Sequence, residues 1–458
     1  MHHEQGHLQR RLGTLSAISI TVGAVIGSGI FLKPLAISQA MPSEGWIYLF
    51  WAGLGLVCLC GAFAYAELGA MFPQAGGQYA FLREAWGPFA AFLYGWVFFW
   101  AINSGTVAAL GAAFSEYVLP WFGFSVDQAK GLPGQLCAAG MIVVLAAINH
   151  FGVMVGAAVQ NVSTLAKVGA LVLIALAGFF AGGEPHGTAQ VASAATGETS
   201  LSIKGIVAVF LAIFWAYEGW YQLPFNAAEL KDPNRALPRG LILGMFILIG
   251  IYLAVNLTYL RVVPFEEMRA MGTDTRAVAS TTIGRTFGEG WGHGLTLLVA
   301  LSVFGAANPN FLSSPRGFYA MAQDGLMPRV LVDVHPRFNT PVIAIWAQAV
   351  WAIALVFLVP TFGNLSDFVV FASFLFYGLT VAGVYRMRIK RPDLPRPYRC
   401  TGYPITPAFF VIVSVLFVGA LLSDSDEQKN ALKGLLVLAT GIVAWFAVAN
   451  RTCRIAKS

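Results

Sequence analysis

The residues with the most chemistry to offer lie in two short stretches, each inside a long apolar run. The first is Gly23-Ala24-Val25-Ile26-Gly27-Ser28-Gly29-Ile30-Phe31. Glycine lets a backbone leave the helix. Backbone groups released in hydrocarbon are tolerated only where they are buried or meet a cavity or ligand. The amides of Ser28 and Gly29 would open the second half of such a broken helix, and the positive end of a helix receives a carboxylate. Close packing of helices through small residues is the competing reading. The second stretch is Phe214-Trp215-Ala216-Tyr217-Glu218-Gly219-Trp220-Tyr221-Gln222. A break here would free carbonyls to accept from an ammonium group, and Trp215 and Tyr217 would close over a bound molecule as gates. Aromatics alone read as packing or as an interfacial belt. Glu218 changes the balance, because it lies about 15 residues into its run, roughly 22 Å along the axis. An acid at that depth faces a cavity or a charged partner. Both options stay open, the partner in the second being Lys167.

Lys167 sits in Gln160-Asn161-Val162-Ser163-Thr164-Leu165-Ala166-Lys167-Val168-Gly169, well inside the fifth apolar run. Snorkelling carries its ammonium only part of the way to water. A positive charge fixed there would hold the broken first helix as a bound sodium ion would. A lysine that releases its proton would instead take part in coupling. The remaining polar residues inside the runs, Asn103, Asn149, His150 and Asn308, read as helix–helix hydrogen bonds. Lys33-Pro34, just past the first break, is expected in the outer vestibule, where it would oppose cationic cargo and so conflict with the simplest reading of Glu218. Cys58, Cys60, Cys137, Cys400 and Cys453 make neither a disulfide framework nor a zinc pattern. With no metal-spaced cluster, Ser–His pairing or phosphate loop in sight, no cofactor is expected and an enzyme is not expected. A nutrient receptor would more often add a soluble signalling domain.

Composition tells what must position these residues. Of 458 residues, 57% are hydrophobic and 11% charged, where a soluble domain carries about 25% charged residues. The mean hydropathy is +0.69. The expectation is one all-α membrane domain of about 12 transmembrane helices. The spans are read at 14–40, 46–72, 88–119, 134–150, 154–182, 203–230, 237–261, 290–320, 340–360, 365–386, 404–423 and 431–449. The first follows Arg10 and Arg11 and lacks a small-residue cleavage site, so it reads as a span rather than a signal peptide. A polar insert fills 182–202, and the mixed-charge loop over 263–284 is expected to hold a short surface helix.

The basic residues set orientation. With the N-terminus inside, the cytoplasmic segments hold Arg10, Arg11, Arg83, Lys231, Arg235, Arg239, Arg316, Arg329 and Arg337. They also hold the run Arg386, Arg388, Lys390, Arg391, Arg396, Arg399, and finally Arg451, Arg454 and Lys457. Glu44, Asp127, Glu184, Glu198, Glu266, Glu267, Asp424, Asp426 and Glu427 fall on the other side, with Lys130, Arg269, Arg276 and Lys429 as exceptions. Both termini are expected in the cytoplasm, and the net charge of +6 needs no nucleic acid to explain it. Spans one and six, each interrupted (the sixth near Glu218 and Gly219 and again at Pro224), lie five spans apart. Paired broken helices point to an inverted-repeat transporter with its site at the midplane. Spans three and eight would line the opposite wall.

At these residues the sequence resembles the amino acid–polyamine–organocation superfamily, and within it the L-type amino-acid transporter family. The resemblance runs over nearly the whole chain. Its most specific parts are residues 23–31, the stretch Ala64-Tyr65-Ala66-Glu67-Leu68-Gly69 with Pro73 and Gly76-Gly77, and the Lys167 helix. Ala216-Tyr217-Glu218-Gly219-Trp220 with Glu229 and Asp232-Pro233-Asn234-Arg235 adds to it, as does Asp324-Gly325 with Pro328, His335-Pro336 and Thr340-Pro341. The resemblance implies a LeuT-like inverted five-plus-five repeat, 14–182 and 203–386, with two extra helices at 404–449. It implies a substrate carboxylate on the amides of Gly27, Ser28 and Gly29, and an α-amine on carbonyls near Val25 and around Trp215 and Ala216. It implies a gating aromatic at Trp215. It makes Lys167 the replacement for a sodium site, and so implies sodium-independent transport, usually as obligatory exchange.

Two departures matter. Many members with neutral substrates carry a small residue where this chain has Glu218, and members with an acid there resemble exchangers of dibasic amino acids. Neutral and dibasic cargo therefore both remain candidates, glutamate being longer than the usual aspartate. Animal members bind a glycoprotein heavy chain through a loop cysteine after span three, whereas 119–134 here contains none. A bacterial-type inner-membrane protein without a disulfide-linked partner is expected. The alternative function is proton-coupled uptake of amino acids or polyamines, with Lys167 or Glu218 titrating.

Overall fold

Inside a bilayer a backbone must satisfy its own hydrogen bonds, and apolar runs of this length do so as helices. The computed structural model describes residues 10–180, 202–272, 276–359, 362–423 and 428–455. The insert expected at 182–202 lies outside the described residues except for Ser202, as do Glu184, Glu198, Asp424, Asp426, Glu427 and Lys457. Among the described residues ten helices are long and apolar enough to cross a membrane: Thr14–Leu32, Glu44–Met71, Pro88–Phe122, Leu132–His150, Val153–Leu176, Ile203–Glu229, Pro233–Val262, Gly294–Gln323, Leu365–Lys390 and Ile405–Ser423. Two shorter apolar helices, Val342–Leu358 and Leu432–Ala447, fall where spans nine and twelve are expected. The loop over 263–284 holds two short helices rather than one, Phe265–Ala270 and Ala277–Phe287.

Span one stops at Val25 and resumes at Gly29–Leu32, which Lys33, in right-handed helical angles, joins to Pro34–Ala40. Span six is helical over Ile203–Ala216, breaks at Tyr217 to Gly219, and continues as a 3-10 helix over Trp220–Glu229. The second interruption expected at Pro224 is absent, because the tighter helix runs through the proline. Pro224 lacks the N–H that its i→i+3 bond would use, so that one bond is missing and the helix continues around it.

Span three carries a π-turn, Phe98–Asn103. Such turns leave carbonyls out of register, and here side chains take them up. Ser104 Oγ donates to the Phe99 carbonyl at 2.7 Å, and Trp351 Nε1 from span nine donates to the Trp100 carbonyl at 3.0 Å. The turn aims the following residues, Thr106 and Leu110, at the centre of the bundle.

Span one runs through the middle of the molecule, packed by spans five, six, seven and eight. Interhelical side-chain bonds tie the surrounding spans. Asn149 Nδ2 donates to Asn308 Oδ1 at 2.8 Å, Asn308 Nδ2 to Gln160 Oε1 at 3.0 Å, Ser314 Oγ to Asn103 Oδ1 at 2.6 Å and Trp346 Nε1 to His150 Nδ1 at 3.2 Å. All four polar residues expected to join helices do so. At one end of the bundle Glu67, on span two, accepts from Arg388 Nε at 3.0 Å and Nη2 at 2.6 Å and from the Cys400 amide at 2.6 Å. The Arg388 guanidinium also lies 3.7 Å from the centre of the Tyr403 ring. This clamp fixes the connection from span ten to span eleven against span two.

Candidate functional site

The two breaks meet. A Cβ on Gly29 would fall 2.4 Å from Ala216 Cα, so the backbones touch and only glycine fits. Gly219 takes φ +116°, and a Cβ there would fall 2.8 Å from the Ala24 carbonyl oxygen. Around this contact lies a small cavity of about 20 Å³. Val25, Gly27, Ser28 and Gly29 line it from span one, Trp215, Glu218, Tyr221 and Gln222 from span six. Thr106 and Leu110 of span three and Ala306 and Asn310 of span eight form the facing wall, as the sequence implied.

One end of the cavity is electropositive. The amides of Gly27 and Ser28 precede the second helical segment and have no carbonyl one turn earlier to bond. Trp215 Nε1 donates to Ser28 Oγ at 3.2 Å, laying the indole across the break. The other end is acidic. Glu218 is buried and its Oε1 accepts from Tyr377 at 2.6 Å and Ser373 at 3.1 Å, both on span ten. Of the two readings left open for Glu218, the ion pair with Lys167 is not formed, and Glu218 faces the cavity. Lys167 Nζ instead donates to the carbonyls of Gly23 at 2.7 Å, Ile26 at 2.6 Å and Ser302 at 3.3 Å. Three ammonium hydrogens thus meet three carbonyls, two of them freed by the break.

Other expectations need correction. Tyr217 is not part of the cavity wall. Its ring packs between Trp51 and Tyr252, and its hydroxyl donates to the Trp51 carbonyl at 3.2 Å. The turn at Gly219 sends neighbouring side chains to opposite sides, so Glu218 faces the cavity while Tyr217 braces span six on spans two and seven. Ala216 does not line the cavity either, because its carbonyl accepts from Tyr252 at 2.9 Å. The same hydroxyl lies 3.2 Å from the Val25 carbonyl. One hydroxyl hydrogen serves one carbonyl at a time, so the other keeps an open lone pair. Lys33 lies outside the cavity, 3.2 Å from Ser366 Oγ and 3.9 Å from Asp367 Oδ1. Asp367 thus lies beside its charge.

Sequence reasoning missed Tyr252, Ser373 and Tyr377, which are ordinary hydroxyls in apolar spans with no spacing that ties them to a break. It also missed Asn310, although Asn308 two residues earlier stood out. Below the cavity a polar plug continues. Gln222 Nε2 donates to Asn310 Oδ1 at 2.8 Å, and Ser313 Oγ donates to Asn226 Oδ1 at 2.5 Å. Arg316 then holds Glu229 in a two-pronged pair at 2.9 and 3.1 Å, with both side chains 1% exposed. The amides of Arg11 and Leu12 cap this end by donating to the Glu229 carbonyl at 2.9 Å.

Many apolar spans, two of them broken against each other around a small central cavity, are the architecture of a membrane transporter. The amino acid permease family model matches residues 12–447. The chain is 32% identical over 448 residues to mouse (Mus musculus) b(0,+)-type amino acid transporter 1, covering 96% of this chain and 88% of that protein. It is 30% identical over 455 residues to the serine/threonine exchanger SteT of Bacillus subtilis (strain 168), covering 98% and 99%. It is 31% identical over 443 residues to the human (Homo sapiens) cystine/glutamate transporter, covering 97% and 86%. The chain belongs to the amino acid permease family, among its L-type amino-acid transporters.

Proposed function

We propose that this chain exchanges amino acids across the membrane without sodium, by alternating access to the cavity between spans one and six. The observation that carries the reading is the seat of Lys167, whose ammonium occupies the break in span one through the Gly23 and Ile26 carbonyls. A fixed cation there does what a bound sodium ion would do. The substrate carboxylate sits on the amides of Gly27, Ser28 and Gly29, and the α-amine on the Val25 carbonyl, which Tyr252 leaves free when it bonds that of Ala216. Trp215 is the gate. Glu218 reads the substrate side chain, and its acid favours dibasic cargo beside neutral cargo. These groups bind and orient, which suits a carrier rather than an enzyme.

The architecture is an inverted repeat, 14–182 against 203–386, with spans eleven and twelve added. Matching neighbours support it: span one packs on five as six on ten, and five on eight as ten on three. The basic residues of Arg83, Arg235, Arg239 and the run from Arg386 to Arg399 support a cell-membrane protein with both termini in the cytoplasm. The absence of cysteine over 119–134 supports action without a disulfide-linked heavy chain.

The test uses purified protein in liposomes preloaded with single unlabelled amino acids, in sodium-free buffer. Labelled arginine should enter only against internal amino acid, and Glu218→Gly should abolish that while sparing alanine. Alanine exchange without arginine exchange would make the cargo neutral and Glu218 structural. Uptake that needs a proton gradient and no internal amino acid would overturn exchange in favour of proton coupling.

A further inference from the structure

A groove of about 920 Å³ opens on the bundle, lined by none of the residues of the central cavity. Its floor is one face of span three, Phe92, Trp96, Phe99 and Trp100, and its far wall is Ile343 and Ala347 of span nine. Span twelve closes the near edge, where Trp96 Nε1 donates to Thr440 Oγ1 at 3.1 Å and Trp445 packs on Phe92. From Phe92 to Trp100 the floor runs roughly 12 Å. That covers most of one leaflet of a ~30 Å hydrocarbon core.

The mouth of the groove is polar and unequal in charge. Asp324 is already engaged by Arg83 and by Tyr79, whose hydroxyl donates to Oδ2 at 2.6 Å. Arg329 lines the same mouth, is exposed, and makes no hydrogen bond or ion pair among the described residues. An apolar trough that ends at an exposed guanidinium matches an amphiphile with an anionic head. Basic pockets between spans on the cytoplasmic side select such headgroups.

We propose that this groove seats one anionic glycerophospholipid, its acyl chain along span three and its phosphate on Arg329. The leaflet follows from our reading that the basic loops are cytoplasmic; the binding itself does not depend on the transport reading. Seated there, the lipid would brace span three, which carries Thr106 and Leu110 of the cavity wall, against spans nine and twelve.

The test is the thermal unfolding midpoint of the full-length purified chain in neutral detergent, titrated with phosphatidylglycerol, phosphatidylcholine or glycerol 3-phosphate. Phosphatidylglycerol should stabilise at the lowest concentration. Arg329→Gln should raise its half-effect concentration about fivefold, while Arg391→Gln, an exposed arginine away from the groove, should leave it unchanged. Ala347→Trp, which fills the trough, should remove the response. An unchanged response in Arg329→Gln, equal potency of phosphatidylcholine, or full stabilisation by glycerol 3-phosphate alone would each overturn the proposal. So would an Ala347→Trp protein that keeps its lipid response but changes its oligomeric state, because the groove would then be a contact between copies. Transport is not the readout, so failure here leaves the exchange mechanism standing, and the reverse.

Discussion

Replacing Lys167 with methionine removes the ammonium and keeps a stem of similar length, so packing is disturbed little. What is lost are the bonds to the Gly23 carbonyl at 2.7 Å, the Ile26 carbonyl at 2.6 Å and, more weakly, the Ser302 carbonyl at 3.3 Å. A hydrogen bond to a charged group contributes about 1.5–3 kcal/mol. The two short bonds together then hold the break in place by about 3–6 kcal/mol, before any cost of leaving carbonyls unsatisfied. Even the lower figure is a factor on the order of 100 in the population with Gly27, Ser28 and Gly29 aligned for a carboxylate. Exchange in liposomes should accordingly show an apparent affinity lowered by about that factor for arginine and alanine alike, since both present the same carboxylate. The variant must first elute as a single species and unfold cooperatively. A well-folded Lys167→Met protein whose KM stays within about threefold of the parent for both substrates would refute the reasoning. It would mean that the first span holds its break without help from span five.

Glu218→Gln keeps an acceptor for Tyr377 and removes the charge; arginine exchange should fall about ten- to hundredfold and alanine exchange should change little, measured side by side. Arg316→Met leaves Glu229 buried and unpaired, at a cost of about 3–5 kcal/mol in thermal or denaturant unfolding. The double variant with Glu229→Gln should recover part of it, and no recovery would show that the pair is not the cause. Gly219→Ala meets both the positive φ and the Ala24 carbonyl, so exchange of every substrate should drop at least about tenfold, and normal kinetics would show that this turn relaxes freely. Burial, reinforced by Glu67 and eased by Thr406 and Arg388, pushes the Cys400 thiol up to about 11. In a variant whose only cysteine is Cys400, maleimide labelling should be slow at neutral pH and accelerate up to that value, whereas the denatured chain should label from about pH 8.

The parts of this protein legible in its sequence are those where hydrocarbon leaves one solution. Long apolar runs have to be helices, so the spans fall close to where hydropathy puts them. Glycines clustered in the middle of one run have to mean contact or a break, and Gly29 and Gly27 deliver both. Depth alone marked Lys167 and Glu218, because an ionisable group that far from water must have a local reason. What depth cannot supply is the partner. Ser373 and Tyr377 lie 155 and 159 residues from Glu218 in the chain. Hydroxyls are common enough in spans that nothing distinguishes these two before the fold brings span ten alongside.

Of the two readings open for Glu218, pairing with Lys167 lost to the cavity for a reason the bilayer also dictates. A cation at a helix break has unsatisfied carbonyls as its nearest neighbours, and an anion has hydroxyl and amide hydrogens. Each charge therefore finds its complement in the local backbone and side chains before it can reach the other. Lys167 spends its hydrogens on carbonyls that span one left open and on Ser302 of span eight, and Glu218 takes hydroxyls from span ten while lining the cavity. Had the two paired, the first break would have lost its support and the cavity its acid. Keeping the charges apart leaves an amide-lined positive end and a carboxylate-lined negative end in one enclosed space. That polarity is what a molecule with a carboxylate at one end and a cationic side chain at the other would recognise.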